Sequence, residues 1–213
     1  MGIKAILWDF GGVVTSSPFE AFSRFEQAHG LPRDFIRTIN ATNPDDNAWA
    51  RFEANRIDLE TFDREFAAES SAAGHEIKGR TVLELLGGDV RPRMLEVLRT
   101  CRPRYRLVCL TNNMNTGQGP GIWGSPERCA AVDAAMTLFH EVIESSKVGM
   151  RKPDPRIYAL ACERMAAEPH EVVYLDDLGI NLKPAKAMGM QTIKVVSEAQ
   201  AIADLTAILG EAV

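Results

Sequence analysis

Four short clusters of reactive side chains occur along the 213-residue chain, each at the end of an apolar run or soon after one. Asp9-Phe10-Gly11-Gly12 follows the first run, Thr111-Asn112-Asn113 the second and Asp176-Asp177 the fourth. Lys152 comes after the third, within Val148-Gly149-Met150-Arg151-Lys152-Pro153-Asp154-Pro155. Together these residue types suit phosphoryl chemistry. A carboxylate can attack phosphorus and split a hard hydrolysis into two steps through an aspartyl-phosphate. A hard divalent cation, best Mg²⁺, takes oxygen ligands and shields the repulsion between carboxylate and phosphate. A hydroxyl and a lysine can hold phosphate oxygens, and glycines let backbone N–H groups approach the anion. Taken singly, each piece has an ordinary explanation. Asp9 and Thr111-Asn112 read as turn residues, Asp176-Asp177 as a helix cap with an acidic first turn, and Lys152 as a solvated lysine. Their common placement is what points to a site.

That placement depends on strands. Ile3–Trp8, Tyr105–Leu110, Glu141–Ile143, Val172–Leu175 and Thr192–Val196 read as five strands, the Val- and Ile-rich ones nearly continuous in apolar character, as in sheets covered on both faces. Helical patterns with recognisable ends separate the later ones. Ser125-Pro126-Glu127 and Asp154-Pro155 open helices, Ser197 with Gln200 forms a capping box, and Gly189 stops a helix. Strand and helix alternate from about residue 89, which predicts an α/β fold with a doubly wound parallel sheet. Ligands bind such sheets beyond the carboxyl ends of the strands, where all four clusters fall. Residues 16–88 carry only helical patterns: Phe19–His29, Asp34–Ile39, Ala48–Ala54, Leu59–Ala68 and Thr81–Leu86. The expected division is a core domain of residues 1–15 and 89–213 with a helical domain, 16–88, inserted into it.

Composition narrows the partners. Lys plus Arg is 24 against 29 Asp plus Glu, a formal net charge of −5, which argues against binding nucleic acid but leaves room for a small phosphorylated ligand. No apolar run reaches the length of a membrane span, and the first residues meet Asp9 too soon for a signal peptide, so a cytoplasmic location is expected. The cysteines (Cys101, Cys109, Cys129, Cys162) show no C-x-x-C spacing and read as reduced structural thiols. Oligomeric state is not legible.

With these residues in view, the chain resembles the haloacid dehalogenase-like hydrolases over nearly its whole length. The family's first motif, Asp-x-Asp-Gly-x-Thr/Val after a strand, is matched by Asp9-Phe10-Gly11-Gly12-Val13-Val14. Its second falls on Thr111, its third on Lys152 and its acidic fourth on Asp176-Asp177, and the insertion after the first motif matches its helical cap. The stretches Val148–Pro155 and Leu175–Ala185 are further similar to the phosphatase domain of mammalian soluble epoxide hydrolase and to the corresponding domain fused to some acyl-CoA dehydrogenases. The resemblance implies a Mg²⁺-dependent phosphatase with Asp9 as nucleophile and Lys152 beside it. Thr111, Lys152 and, less directly, Asn112 would bind phosphate. Asp9, Asp177 and the Gly11 carbonyl would hold the metal, with Asp176 in support. A small, lipid-like or acyl-derived phosphate is the implied substrate, and no epoxide opening is expected.

The chain departs from the family at Gly11, where members carry a second aspartate. Glycine keeps the metal-binding carbonyl and loses the general acid–base, a group worth about 10²- to 10⁴-fold in rate, or roughly 3 to 5 kcal/mol. Alkyl phosphates should suffer most, and acyl or aryl phosphates less. Glu53, Asp58 and Arg56 of the insertion are candidates to supply a replacement. Two alternatives stay open: a metal-independent dehalogenase, whose departing halide needs no proton, and a silent binding module. A kinase reading of Asp9-Phe10-Gly11 fails, since only eight residues precede it. The glycine-rich stretch Asn112–Gly124, with Trp123, reads either as a surface loop or as a wall of the site entrance. Trp49 and Phe52 read as core of the insertion, Asp45-Asp46 as a helix cap, and Arg102 and Arg104 as solvated.

Overall fold

A computed structural model describes residues 2–113 and 125–213, so most of the glycine-rich stretch and Trp123 lie outside the described residues. Five strands form one all-parallel sheet: β1 (Ala5–Trp8), β2 (Arg106–Thr111), β3 (Glu141–Glu144), β4 (Val172–Asp176) and β5 (Gln191–Lys194), in the order β3-β2-β1-β4-β5. The expected α/β architecture is the one observed. β1 sits at the centre and every residue in it is buried, which explains its unbroken run of apolar residues.

Alternation along the strands feeds two separate cores. Ile6 and Trp8, with Leu107, Cys109, Val173 and Leu175, face helices α6 (Pro92–Cys101) and α11 (Glu198–Leu209). Ala5 and Leu7, with Val108, Leu110, Val172 and Tyr174, face α9 (Pro155–Met165) and α10 (Gly179–Ala187). The chain leaving β1 therefore covers one face and the chain leaving β4 the other. Their carboxyl ends part at a switch point, where open α/β sheets form a crevice. The anticipated caps hold: Ser125 opens α7 (Pro126–Met136), Asp154 opens α9, which follows the one-turn α8 (Ser145–Val148), and Ser197 and Gln200 close their box at α11.

Between β1 and α6 lie five helices: α1 (Pro18–Ala28), α2 (Phe35–Ala41), α3 (Ala48–Glu53), α4 (Leu59–Ala72) and α5 (Gly79–Glu84). They bury their own cluster, centred on Phe62, which stacks on Phe52 at 4.6 Å between ring centroids, meets Trp49 edge-on and packs tilted against Phe66. Trp49 and Phe52 thus belong to this core. The helix cap read at Asp45-Asp46 is corrected: Asn47 caps α3, its carbonyl accepting from Ala50 N at 2.7 Å while its amide holds Asn40 O and Thr42 O. An amide has donors as well as an acceptor and can close the preceding turn too, which a carboxylate cannot. Asp45 and Asp46 remain exposed and engage Arg56 instead.

The insertion leaves and rejoins the sheet side by side. Thr15 and Val90 form an antiparallel bridge, flanked by Ser16 N to Asp89 O at 2.8 Å and Arg91 N to Val14 O at 2.9 Å. Among the described residues no helix is long and apolar enough to cross a membrane. Because Phe62 contacts three other rings with none of its surface exposed, Phe62→Ala should cost about 3–5 kcal/mol, read as a shift of the urea unfolding midpoint. A loss below about 1 kcal/mol would mean the insertion does not depend on this cluster.

Candidate active site

Strand register brings the acids together. Trp8 pairs with Leu175, so the next residues, Asp9 and Asp176, stand level on adjacent strands; Asp9 N continues the ladder to Leu175 O at 2.8 Å. After Asp9 the chain turns tightly, with Phe10 O accepting from Val14 N and Thr15 N at 2.9 and 3.1 Å. Gly12 adopts φ +78°, and a Cβ built on it would lie 2.2 Å from Asp177 Oδ2, so only glycine lets this turn meet the Asp177 carboxylate. At Gly11 the opposite holds: nothing lies within 4 Å of where a Cβ would stand.

Lys152 fills the space between the two level carboxylates. Its Nζ is 2.8 Å from Asp9 Oδ1 and 2.8 Å from Asp176 Oδ2, and the side chain is 1% exposed. The lysine read singly as solvated is among the most buried polar residues in the protein. Asn112 fixes its backbone at two points, accepting from Lys152 N at 2.8 Å and donating from Nδ2 to Lys152 O at 3.1 Å. The Asn112 side chain thus ties the β2 end to the Lys152 segment. Thr111 ends β2 level with Glu144 of β3 and is partly exposed at the same edge.

Asp176, fully buried, also accepts from Tyr174 OH, from Leu178 N at 2.7 Å and from Asn181 Nδ2 at 3.1 Å. Tyr158 OH in turn holds Asn181 O at 2.7 Å. Asp177 is half-buried at the mouth, with Ser17 Oγ donating to it across 3.5 Å. Asp9, Asp176 and Asp177 offer oxygens all within 4.8 Å of one another, a donor set able to hold a cation. Burial pushes Asp9 well above the ordinary carboxylate range; Lys152 opposes this, while Asp176 and Asp177 reinforce it. Burial and the Asp176 charge push Asp177 up to about 6. Burial disfavours the Lys152 charge, but Asp176 and Asp9 outweigh it and hold its pKa well above the usual lysine range. Three carboxylates thus face one ammonium.

Sequence reading missed Tyr174, Asn181 and Ser17. Two-residue alternation puts Tyr174 on the face of Asp176, a signal available in the sequence. Of the candidate replacement acids, Asp58 caps α4, accepting from Thr61 N at 2.8 Å, and Arg56 holds Asp46 and the Asp45 carbonyl, so both are spent within the insertion. Glu53 alone reaches the sheet edge, where it pairs with Arg151 at 2.6 Å. Arg104 pairs with Glu211 and Arg102 donates to Leu138 O at 3.1 Å, both at the surface. Removing the ammonium would leave two buried carboxylates unpaired. Lys152→Met should accordingly cost about 3–5 kcal/mol in urea unfolding, and adding Asp176→Asn should restore part of it. Wild-type stability in Lys152→Met would mean the carboxylates are not held by this charge.

Comparison with known proteins identifies the family. The haloacid dehalogenase-like hydrolase family model matches residues 3–189. The mouse acyl-CoA dehydrogenase family member 10 is 31% identical over 97% of this chain, and the mouse bifunctional epoxide hydrolase 2 is 29% identical over 99%. The chain spans only 19% and 39% of the lengths of those two proteins. A phosphorylated carbohydrates phosphatase of Thermotoga maritima is 27% identical over 90% of this chain and 84% of its own. Among solved structures, a haloacid dehalogenase family enzyme of Bacteroides thetaiotaomicron, in complex with magnesium and inorganic phosphate, superposes with a TM-score of 0.59 and 20% identity over 92% of this chain and 96% of that one. A family model covering most of the chain, on a sheet whose four loop clusters meet at one edge, establishes that the chain belongs to the haloacid dehalogenase-like hydrolases.

Proposed function

We propose that the protein is a Mg²⁺-dependent phosphatase acting through phospho-Asp9, its core domain being residues 1–15 and 89–213 and its cap residues 16–88. The observation that carries this is the Lys152 ammonium shared between Asp9 and Asp176 at 2.8 Å each. A phosphate oxygen can take the place of one carboxylate at Lys152, and the Thr111 hydroxyl is the second donor. Asn112 acts by holding the lysine backbone in place. The relatives include phosphatases, and the Bacteroides enzyme of the same fold was solved with magnesium and phosphate.

The residues fit a magnesium ion. Their donors are hard oxygens crowded within 4.8 Å, with an excess of negative charge. Asp176 already accepts from four neighbours, so Asp9, Asp177 and the Gly11 carbonyl are the ligands of choice. When bound, the ion would offset the charge of the phosphate facing the carboxylates. An Asp9 oxygen forms a bond to phosphorus as the leaving-group oxygen departs with its electron pair. Water then attacks the same phosphorus, releasing phosphate and restoring the Asp9 carboxylate. No side chain at Gly11 gives the leaving oxygen a proton. The preferred substrates are small phosphorylated metabolites whose leaving group departs unprotonated, acyl phosphates among them.

The test is Mg²⁺-dependent phosphate release from aryl, acyl and alkyl phosphates, with Asp9→Asn as control. Release that vanishes in the control, faster from aryl and acyl than from alkyl substrates, is the expected result. No release above the control from folded, metal-loaded protein would sink the reading in favour of a silent binding module; halide release without metal would favour a dehalogenase. Because the space at Gly11 is open, Gly11→Asp should fold and raise alkyl-phosphate turnover by about 10²-fold, while aryl turnover changes little. Unchanged alkyl turnover would mean the missing acid is not what limits the enzyme.

A further inference from the structure

One insertion residue, Glu53 at the end of α3, gathers contacts from several of the loops that build the site. Its backbone carbonyl accepts from Ser145 Oγ at 2.9 Å. Ser145 is fully buried where β3 ends, and its Oγ accepts from Asn113 N at 3.0 Å, directly after Asn112. The Glu53 carboxylate meets the Arg151 guanidinium at 2.6 Å and accepts from Trp49 Nε1 at 2.9 Å. Arg151 reaches further into the insertion, donating to Pro44 O at 3.0 Å. The loops after β2 and β3 and the segment that carries Lys152 are thus all tied to α3 through a single position. Glu53 Oε1 takes the Trp49 hydrogen bond, while Oε2 is buried against the Arg151 guanidinium as a charge contact without a hydrogen bond of its own.

We propose that Glu53 and Arg151 are positioning residues whose ion pair locks the helical insertion onto the catalytic edge and fixes the segment from which Lys152 projects. Arg151 is the residue before Lys152, and Asn112 holds the next peptide, so a shift of the insertion is passed to the lysine along two rigid links. A partly buried ion pair suits a contact that sets position more than stability. Its attraction is strong in place, yet much of it is offset by desolvation, so water can replace it without a large net change. Arginine suits the position because one arm of its planar fork lies against the Glu53 charge while the other donates to Pro44 O.

The kinetic part of this inference rests on the phosphatase reading; the docking part does not. Glu53→Gln keeps the shape and the Trp49 acceptor, and Arg151→Met keeps much of the stem. Each should raise KM for an aryl phosphate about tenfold, a change that reports an interaction between two coupled sites. Each should also speed amide hydrogen exchange over residues 44–55 and 150–154. The double variant should be no worse than Arg151→Met alone, because that single already removes the shared ion pair together with the Pro44 O bond. Arg151→Lys should recover part of the KM. The proposal is overturned if the two effects multiply in the double variant, or if KM and exchange stay at wild-type values while only the melting temperature falls. Should the wild type show no turnover, the phosphatase reading fails, and the exchange measurement alone decides whether the pair docks the insertion.

Discussion

The geometry of the site turns on one buried ammonium. Strand register alone would set the like charges of Asp9 and Asp176 side by side in an apolar sheet. Lys152 makes it tenable by lying within 2.8 Å of both, and most neighbouring polar groups serve that arrangement. Tyr174, Asn181 and Leu178 N saturate Asp176, so that it acts as a fixed counter-charge, while Asp9 keeps fewer partners and more freedom to react. Two carboxylates of the same type on adjacent strands are thereby given different work by their hydrogen-bond supply.

The sheet order makes this possible. β1 and β4 are neighbours whose chains leave toward opposite faces, α6 joining one core and α10 the other. A crevice opens between them, and Asp9 and Asp177 stand on its two sides. The tight turn after Asp9 then swings Gly12 against Asp177, at a distance no side chain would tolerate. Sheet topology, turn geometry and charge balance converge on the same few cubic ångströms.

Much of this was legible in the sequence because it is local. Continuous apolar runs marked the strands, and the chemistry lay directly beyond them, so Asp9, Thr111, Lys152 and Asp176-Asp177 could be named from pattern and family motif. Helix starts at Ser125, Asp154 and Ser197 follow from side chains bonding to amides two or three residues away. What escaped was either a competition between neighbours or a contact between distant segments. Asp45, Asp46 and Asn47 are all good caps by type, and only the backbone conformation chooses Asn47. Lys152 read alone is a surface lysine, because nothing nearby in sequence announces the two acids that bury it. Glu53 and Arg151 are 98 positions apart by number, and no periodicity links them.

The paired crossing at Thr15 and Val90 has a consequence for how such a protein can change over time. Because the two ends of the insertion are clasped together at the sheet, the core meets the same short bridge whatever lies beyond it. Lengthening a tethered segment adds closure entropy only logarithmically, about 0.6 kcal/mol for each doubling. Helices can therefore be added, lost or exchanged above the strands with little effect on the register that aligns Asp9 with Asp176. The part of the molecule that would choose among ligands is free to diversify as long as the α3 contact at Glu53 is kept, while the strand register beneath it is undisturbed.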